Sequence, residues 1–298
     1  MQAKYISPVV SAMDSNSNYD FKANEKIFET LIGNGIDGIV LLGSSGEFFV
    51  FDIDTKKKII MHCKEYVDSR IPIIVGTGSI YVDETIELSQ YCESIGIKEV
   101  IVITPYYFNL GDESIYDFYS KVSKSINIDM YLYNYPDRTG YNIDEDVVLK
   151  LLRNHKNIVG YKDSTGDPNH IKRIIMKVKK EFPKFRIYCG MDDYFSYTVM
   201  NGGDGAIGAL SNIRPDLCTE LVNSFKENDL EKASQYQRTI GSLSEIYNVN
   251  KPFIPAVKKA MVFEGIISSD KSSFPFNQLS DDQIEKIKFI LESVKEIN

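Results

Sequence analysis

The sequence predicts an α/β fold, a (β/α)8 barrel followed by a C-terminal helical extension. Three observations carry that prediction. Short apolar runs rich in β-branched residues recur about every 30 residues, as strands buried on both faces do. Segments of helical periodicity lie between them. A doubly wound open sheet binding a dinucleotide calls for a glycine-rich turn after the first run, whereas Ser7–Asp20 contains no glycine. Eight strand–helix repeats in this order make a parallel sheet, and closure into a barrel is the economical arrangement for eight.

The runs are Tyr5–Val10, Gly38–Leu42, Pro72–Val75, Val100–Ile103, Met130–Tyr133, Ile158–Tyr161, Arg186–Cys189 and Gly205–Ile207. Between them, Ala23, Ile27 and Leu31 with Phe28 and Ile32 form one helical stripe, and Val147, Leu151, Val148 and Leu152 form another. Asp83, followed by Glu84 and Thr85, is expected to open one helix and Asp144 another, while Gly35 and Gly96 stand where helices should end. After the eighth run, Glu220–Lys226, Asp229–Ile246, Pro252–Phe263 and Asp281–Ile297 read as helices. The division expected is a barrel over residues 1–225 and an extension over 226–298, packed together as one structural unit.

Composition narrows the function classes. With 43% apolar and 26% charged residues the chain has a globular composition. A formal charge of −8 leaves no basic stripe for nucleic acid, although local cations and backbone N–H groups can still hold an anionic substrate. Cys63, Cys92, Cys189 and Cys218 lie far apart without C-x-x-C spacing, so buried, reduced cysteines are expected. Met1–Asp20 lacks a basic segment followed by a long apolar run, and no stretch approaches the roughly 20 apolar residues of a membrane span. A cytoplasmic protein is expected.

In a barrel of this kind the chemistry sits at the carboxyl ends of the strands. The residues there are Gly43-Ser44-Ser45-Gly46-Glu47, Gly76-Thr77-Gly78, Thr104-Pro105-Tyr106-Tyr107, Tyr133-Asn134-Tyr135-Pro136 leading to Arg138, Lys162-Asp163, Gly190-Met191-Asp192-Asp193 and Gly208-Ala209. Lys162 follows an apolar run, so it is expected in the barrel mouth, where desolvation lowers an amine's pKa and frees it to attack a carbonyl. A lysine at random more often reaches solvent or pairs with a carboxylate, here Asp163 or Asp192. Tyr133 ends the preceding strand, where its hydroxyl could carry a proton. Gly43–Gly46 offers hydroxyls and approachable N–H groups, a carboxylate nest. Arg138 offers a forked donor, Ile207 ends the eighth run, and the rim from Asp192 to Ser211 is expected to complete the substrate pocket.

Together these stretches resemble the dihydrodipicolinate synthase / N-acetylneuraminate lyase family of class I, Schiff-base aldolases, over nearly the whole chain. The motifs are Gly43–Glu47, Thr104–Tyr107, Tyr133–Gly140, Tyr161–Asp167 and Gly202–Gly208, in order at successive strands. The resemblance implies that Lys162 forms an imine with pyruvate, that Tyr133 shuttles protons relayed by Ser44, and that Ser44, Ser45 and Gly46 hold the pyruvate carboxylate. It implies that Tyr107 reaches a neighbouring subunit's site, hence a homodimer or homotetramer. It also implies no metal or organic cofactor, since the protonated imine is the electron sink; only three histidines (His62, His155, His170) occur.

Within the family the marks divide. Arg138 in P-D-R-T-G is similar to the arginine with which the synthases bind the carboxylate of aspartate semialdehyde. Against this, Ser44–Phe48 reads S-S-G-E-F where synthases have T-T-G-E-S, and Phe48 and Ile80 replace small or polar residues of their lysine-inhibited members. Gly46–Phe48, Glu84–Gln90, Lys162-Asp163 and Ile246–Phe253 look like the 2-keto-3-deoxy-sugar-acid aldolase branch. Reversible cleavage of such a sugar acid to pyruvate and an aldehyde therefore ranks first. Dihydrodipicolinate synthesis ranks second, and N-acetylneuraminate cleavage, which shares a hydroxyl residue at Ser211, ranks third. Two other classes stand beside these: a barrel isomerase cradling phosphate on Gly202-Gly203-Asp204-Gly205, and a catalytically silent keto-acid-binding protein.

Overall fold

The computed structural model describes residues 3–296. Eight parallel strands close into a barrel in sequence order: β1 (Lys4–Pro8), β2 (Gly38–Leu41), β3 (Ile73–Gly76), β4 (Glu99–Ile103), β5 (Asp129–Asn134), β6 (Ile158–Asp163), β7 (Arg186–Cys189) and β8 (Gly205–Ile207), with β8 returning to β1. Each strand overlaps one apolar run of the sequence, although β1 stops at Pro8, two residues short of the expected Val10. The runs are short because a barrel strand needs only enough length to cross the layers of inward side chains, here Val40, Ile101, Tyr131, Tyr133 and their neighbours, all buried.

Helices α1 (Phe21–Gly33), α2 (Ile53–Val67), α3 (Val82–Ser94), α4 (Asp112–Lys124), α5 (Pro136–Thr139), α6 (Glu145–Asn154), α7 (Pro168–Glu181) and α8 (Phe195–Met200) lie between successive strands, the short α5 and α6 both between β5 and β6. Amphipathic stripes turn inward as their spacing requires: Ile27, Phe28 and Leu31 of α1, and Val147, Val148, Leu151 and Leu152 of α6, are buried. Asp20 caps α1 by accepting from the Ala23 amide at 3.0 Å, an interaction worth about 1 kcal/mol. Gly35 and Gly96 follow their helices with φ of +76° and +87°, the left-handed conformation that ends a helix at little cost.

Several boundaries depart from the sequence expectation, each for a local reason. Helix α3 begins at Val82, so Asp83 lies in its first turn, not at its cap, and pairs with Lys121 instead. Asp144 does occupy the N-cap position of α6, but its side chain accepts no capping hydrogen bond; its carboxylate lies 3.3 Å from His170. Strand β6 runs two residues past Tyr161, which places Lys162 and Asp163 in the sheet itself.

Beyond β8 the chain forms α9 (Pro215–Glu227), α10 (Leu230–Ser244), α11 (Ile254–Phe263) and α12 (Asp281–Glu296). The first starts five residues before the expected Glu220, because Pro215 fits the first helical turn. The second ends at Ser244 and tightens into a 3-10 turn, Glu245–Asn248. Ile297, the expected end of the last helix, lies outside the described residues. Helix α10 packs on α9 and on the 3-10 turn Asp192–Tyr194 that follows β7, while α12 packs on α10 and α11. All four cysteines are free and buried. Among the described residues, no helix is long and apolar enough to cross a membrane.

Candidate active site

Strand register brings the two central side chains together. Tyr133 pairs with Lys162 and Asn134 with Asp163 across β5 and β6, and the Lys162 amine stands 4.3 Å from the Tyr133 ring centroid. A bulge between Met130 and Tyr131 sets this register, with Gly160 opposite Tyr131; a β-carbon on Gly160 would fall 2.2 Å from the Tyr131 ring. Asp163 then locks the strand ends by accepting from Asn134 Nδ2 at 2.8 Å and from His170 Nδ1 at 2.7 Å.

Lys162 is 5% exposed and makes no ion pair among the described residues. Burial pushes its amine down to about 7, opposed by the negative charge of Asp192 and by Cys189. A large share of the amine is therefore neutral near pH 7, the state a nucleophile needs. Tyr133 is also buried. Burial raises its phenol, while hydrogen bonds with Ser44 and Ser164 and the Arg138 charge act the other way. Its hydroxyl lies 3.5 Å from Ser44 Oγ, a long contact that a substrate oxygen or a water can shorten or bridge.

Two adjoining cavities open here. The inner one lies over Lys162 and Tyr133 and is walled by Gly43, Ser44, Phe48, Gly78 and Ile103. The outer one, about 630 Å³, shares Ser44, Phe48 and Ile103 with it. Its far wall carries Arg138 from α5 and Asn250, Lys251 and Phe253 from the segment before α11. Arg138 donates to the Asp137 carbonyl at 3.3 Å and lies 5.1 Å from the Tyr135 ring, and among the described residues it has no carboxylate partner. Lys251 likewise has none.

The remaining predicted residues fall into three groups. Ser45 and Gly46 sit in the turn beside the inner cavity; Ser45 is buried, and the Gly46 amide donates back to the Gly43 carbonyl at 3.0 Å, so that amide is not free in the nest. Asp192, Ile207 and Ser211 are buried and line neither cavity. Asp192 accepts from the Tyr5 hydroxyl, from the Tyr247 hydroxyl at 2.6 Å and from the Leu210 amide at 3.1 Å, while burial raises its carboxyl against those bonds. Ser211 donates to the Gly208 carbonyl at 2.7 Å and contacts Ser7 Oγ at 2.8 Å. Tyr107 is 84% exposed, with φ of +101°, and lies at neither cavity.

The Gly202–Gly205 stretch is corrected outright. It enters β8 at the amino end of the barrel, and Asp204 there binds Lys179 at 2.7 Å and the Ile187 amide at 2.7 Å. That end is opposite Lys162, and an internal carboxylate takes the donors a phosphate would need. Among the described residues, no group of three or more histidine, cysteine, aspartate or glutamate side chains is arranged to hold a metal.

Sequence reasoning missed Ser164, Tyr5, Tyr247, Lys258 and Ser273. A signal existed for three of them: Ser164 lies in the Tyr161–Asp167 motif, Tyr247 lies in the Ile246–Phe253 stretch, and Lys258 is a lysine within the apolar pattern of α11. Tyr5 and Tyr247 meet at Asp192 only through tertiary folding.

With this geometry in view, the sequence matches the Dihydrodipicolinate synthetase family over residues 1–294. The chain belongs to that family. Its members are lyases and aldolases, so the chain is an enzyme of that class. Among similar proteins is YagE of Escherichia coli K12, a putative 2-dehydro-3-deoxy-D-gluconate aldolase, 31% identical over 97% of this chain and 96% of its own. A 4-hydroxy-tetrahydrodipicolinate synthase from a Thermotoga species (strain RQ2) is 30% identical over 93% of each chain. The crystal structure of YagE in complex with pyruvate superposes with a TM-score of 0.96 at 31% identity, covering 98% of both chains.

Proposed function

We propose that this enzyme cleaves a 2-keto-3-deoxy sugar acid reversibly to pyruvate and an aldehyde through an imine on Lys162. The observation that carries the reading is the buried Lys162 amine, held down to about 7 and facing Tyr133 in a cavity that opens onto a second, larger one. The similarity to YagE, described as a putative 2-dehydro-3-deoxy-D-gluconate aldolase, supports the same substrate class.

The chemistry balances on these groups. Neutral Lys162 adds to the C2 carbonyl of the keto acid, and Tyr133 gives its hydroxyl proton to the carbinolamine oxygen, which leaves as water; the products are a protonated imine and a Tyr133 phenolate. Tyr133 takes the C4 hydroxyl proton as the C3–C4 electron pair moves into the imine, which releases the aldehyde and leaves an enamine. A proton returns to C3, and water hydrolyses the imine to free pyruvate and Lys162. Ser44 relays protons to Tyr133, Ser44 and Ser45 with the turn at Gly46 receive the carboxylate, and Arg138 faces the distal part of the substrate. The covalent imine takes the place of a metal or organic cofactor. The burial of Asp192, Ile207 and Ser211 supports a role for them behind the cavity, in shaping it, and Asp192 as a negative charge near Lys162.

The exposed Tyr107 and its neighbour Phe108 support a subunit contact through which Tyr107 completes the site of a second copy, in a homodimer or homotetramer. The free cysteines fit a cytoplasmic location. Barrel 1–225 and extension 226–298 then work as one unit, since the outer cavity draws walls from both.

The second reading, condensation of pyruvate with aspartate semialdehyde, is favoured by Arg138 and by the similarity to the Thermotoga synthase. A coupled assay compares pyruvate release from 2-keto-3-deoxygluconate with consumption of pyruvate plus aspartate semialdehyde. The proposal expects kcat/KM for the sugar acid to exceed that for the condensation by at least about tenfold. The reverse order would overturn it.

A further inference from the structure

Helix α11 is apolar almost throughout, yet Lys258 lies in its middle without exposure to solvent. Its amine donates to the carboxylate of Glu47, which is equally buried, and to the Lys271 carbonyl at 2.9 Å. The other carboxylate oxygen of Glu47 accepts from the Ser273 amide at 2.8 Å and from the Ser273 hydroxyl. A buried ion pair of this kind gains little over an apolar pair of the same volume, because desolvation offsets its attraction. Stability alone therefore does not account for it.

Its position does. Glu47 closes the Gly43–Glu47 turn in the left-handed conformation, φ +53°, which a residue other than glycine holds only when its surroundings impose it. The turn is fixed from inside by the Glu47 amide donating to the Ser44 carbonyl at 3.2 Å, and from behind by Ser11 Oγ donating to the Gly46 carbonyl at 2.7 Å. Phe48, the next residue, lines both cavities. We propose that Glu47, Lys258 and Ser273 are positioning residues: a clamp by which α11 and the segment that follows it set the Ser44–Tyr133 relay and the carboxylate nest. The inference rests on the reading of the site as one that binds pyruvate as an imine.

The test measures exchange of the pyruvate methyl protons in heavy water by NMR, on the full-length protein. Exchange needs imine formation and proton transfer but no aldehyde. The paired variant Glu47→Leu/Lys258→Met removes both charges, so none is left buried and alone. We expect it to unfold within a few degrees of the parent, while kcat for exchange falls at least about 30-fold and KM for pyruvate rises several-fold. Glu47→Gln/Lys258→Met keeps an acceptor for the Ser273 amide and should exchange at least about threefold faster than the apolar pair. Ser273→Ala, a milder change, should lose about three- to tenfold in exchange at unchanged thermal stability. It decides the matter if the apolar pair does not fold. Parental exchange rates in a folded Glu47→Leu/Lys258→Met or in Ser273→Ala would overturn the clamp alone. Absence of exchange in the parent would instead overturn the reading of the site, and the clamp with it.

Discussion

At the scale of single residues, the behaviour of Lys162 follows from burial. A desolvated amine with a folded pKa of about 7 is mostly ammonium below that value and mostly free base above it. The rate of imine formation with pyruvate should therefore rise with pH to a plateau above about pH 7, and fall about tenfold for each unit below it. Stopped-flow or quenched borohydride trapping across pH 5–9 reads the limb. Asp192 holds the pKa up, so Asp192→Asn should move the limb to lower pH; a limb that stays in place would show that Asp192 does not act on the amine electrostatically. The position of Lys162 was legible in the sequence because it follows one of eight regularly spaced apolar runs, and in a barrel the residues after such runs stand at its mouth. Asp192 was legible as a rim carboxylate but not as a buried one. Its two phenol donors come from Tyr5 and Tyr247, which are separated from it by 187 and 55 residues, and no local pattern announces such a meeting.

At the scale of elements, the barrel depends on close backbone approaches that leave no room for a side chain. Gly205 opens β8 with φ +123°, and a β-carbon there would fall 1.9 Å from the Lys4 carbonyl oxygen of β1. Gly205→Ala should cost about 2–4 kcal/mol in urea unfolding, combining backbone strain with a clash at the strand pair that closes the barrel. Gly166→Ala, where an added carbon meets nothing within 4 Å, should stay within about 1 kcal/mol of the parent. Equal effects at both positions would contradict this account of closure. The order and centres of all eight strands could be read from the sequence, because strands buried on both faces leave a continuous apolar signature. Their ends could not: the extension of β6 through Asp163 depends on pairing with Asn134 and Cys189, which propensity does not encode. Helix α9 began earlier than its apolar stripe because a proline marked its first turn.

At the scale of the whole molecule, the barrel supplies the chemistry and the C-terminal helices supply much of the outer cavity. Helical periodicity predicted α10 to α12 but could not show that Asn250, Lys251 and Phe253 face Arg138 across one space. On the proposed reading the inner cavity receives the keto acid and the outer one the rest of the substrate, so the two should separate kinetically. Lys251→Ala, at an exposed lysine without a carboxylate partner, should raise KM for the sugar acid several-fold and leave pyruvate capture unchanged; loss of both would contradict the division. Everything rests on the covalent step. The most direct measurement is borohydride reduction of the protein with pyruvate, followed by peptide mass spectrometry, with Lys162→Ala as control. The account predicts one pyruvate-derived adduct on Lys162 in the parent and none in the variant. An unmodified Lys162 in the parent, or an adduct on another lysine, would contradict it.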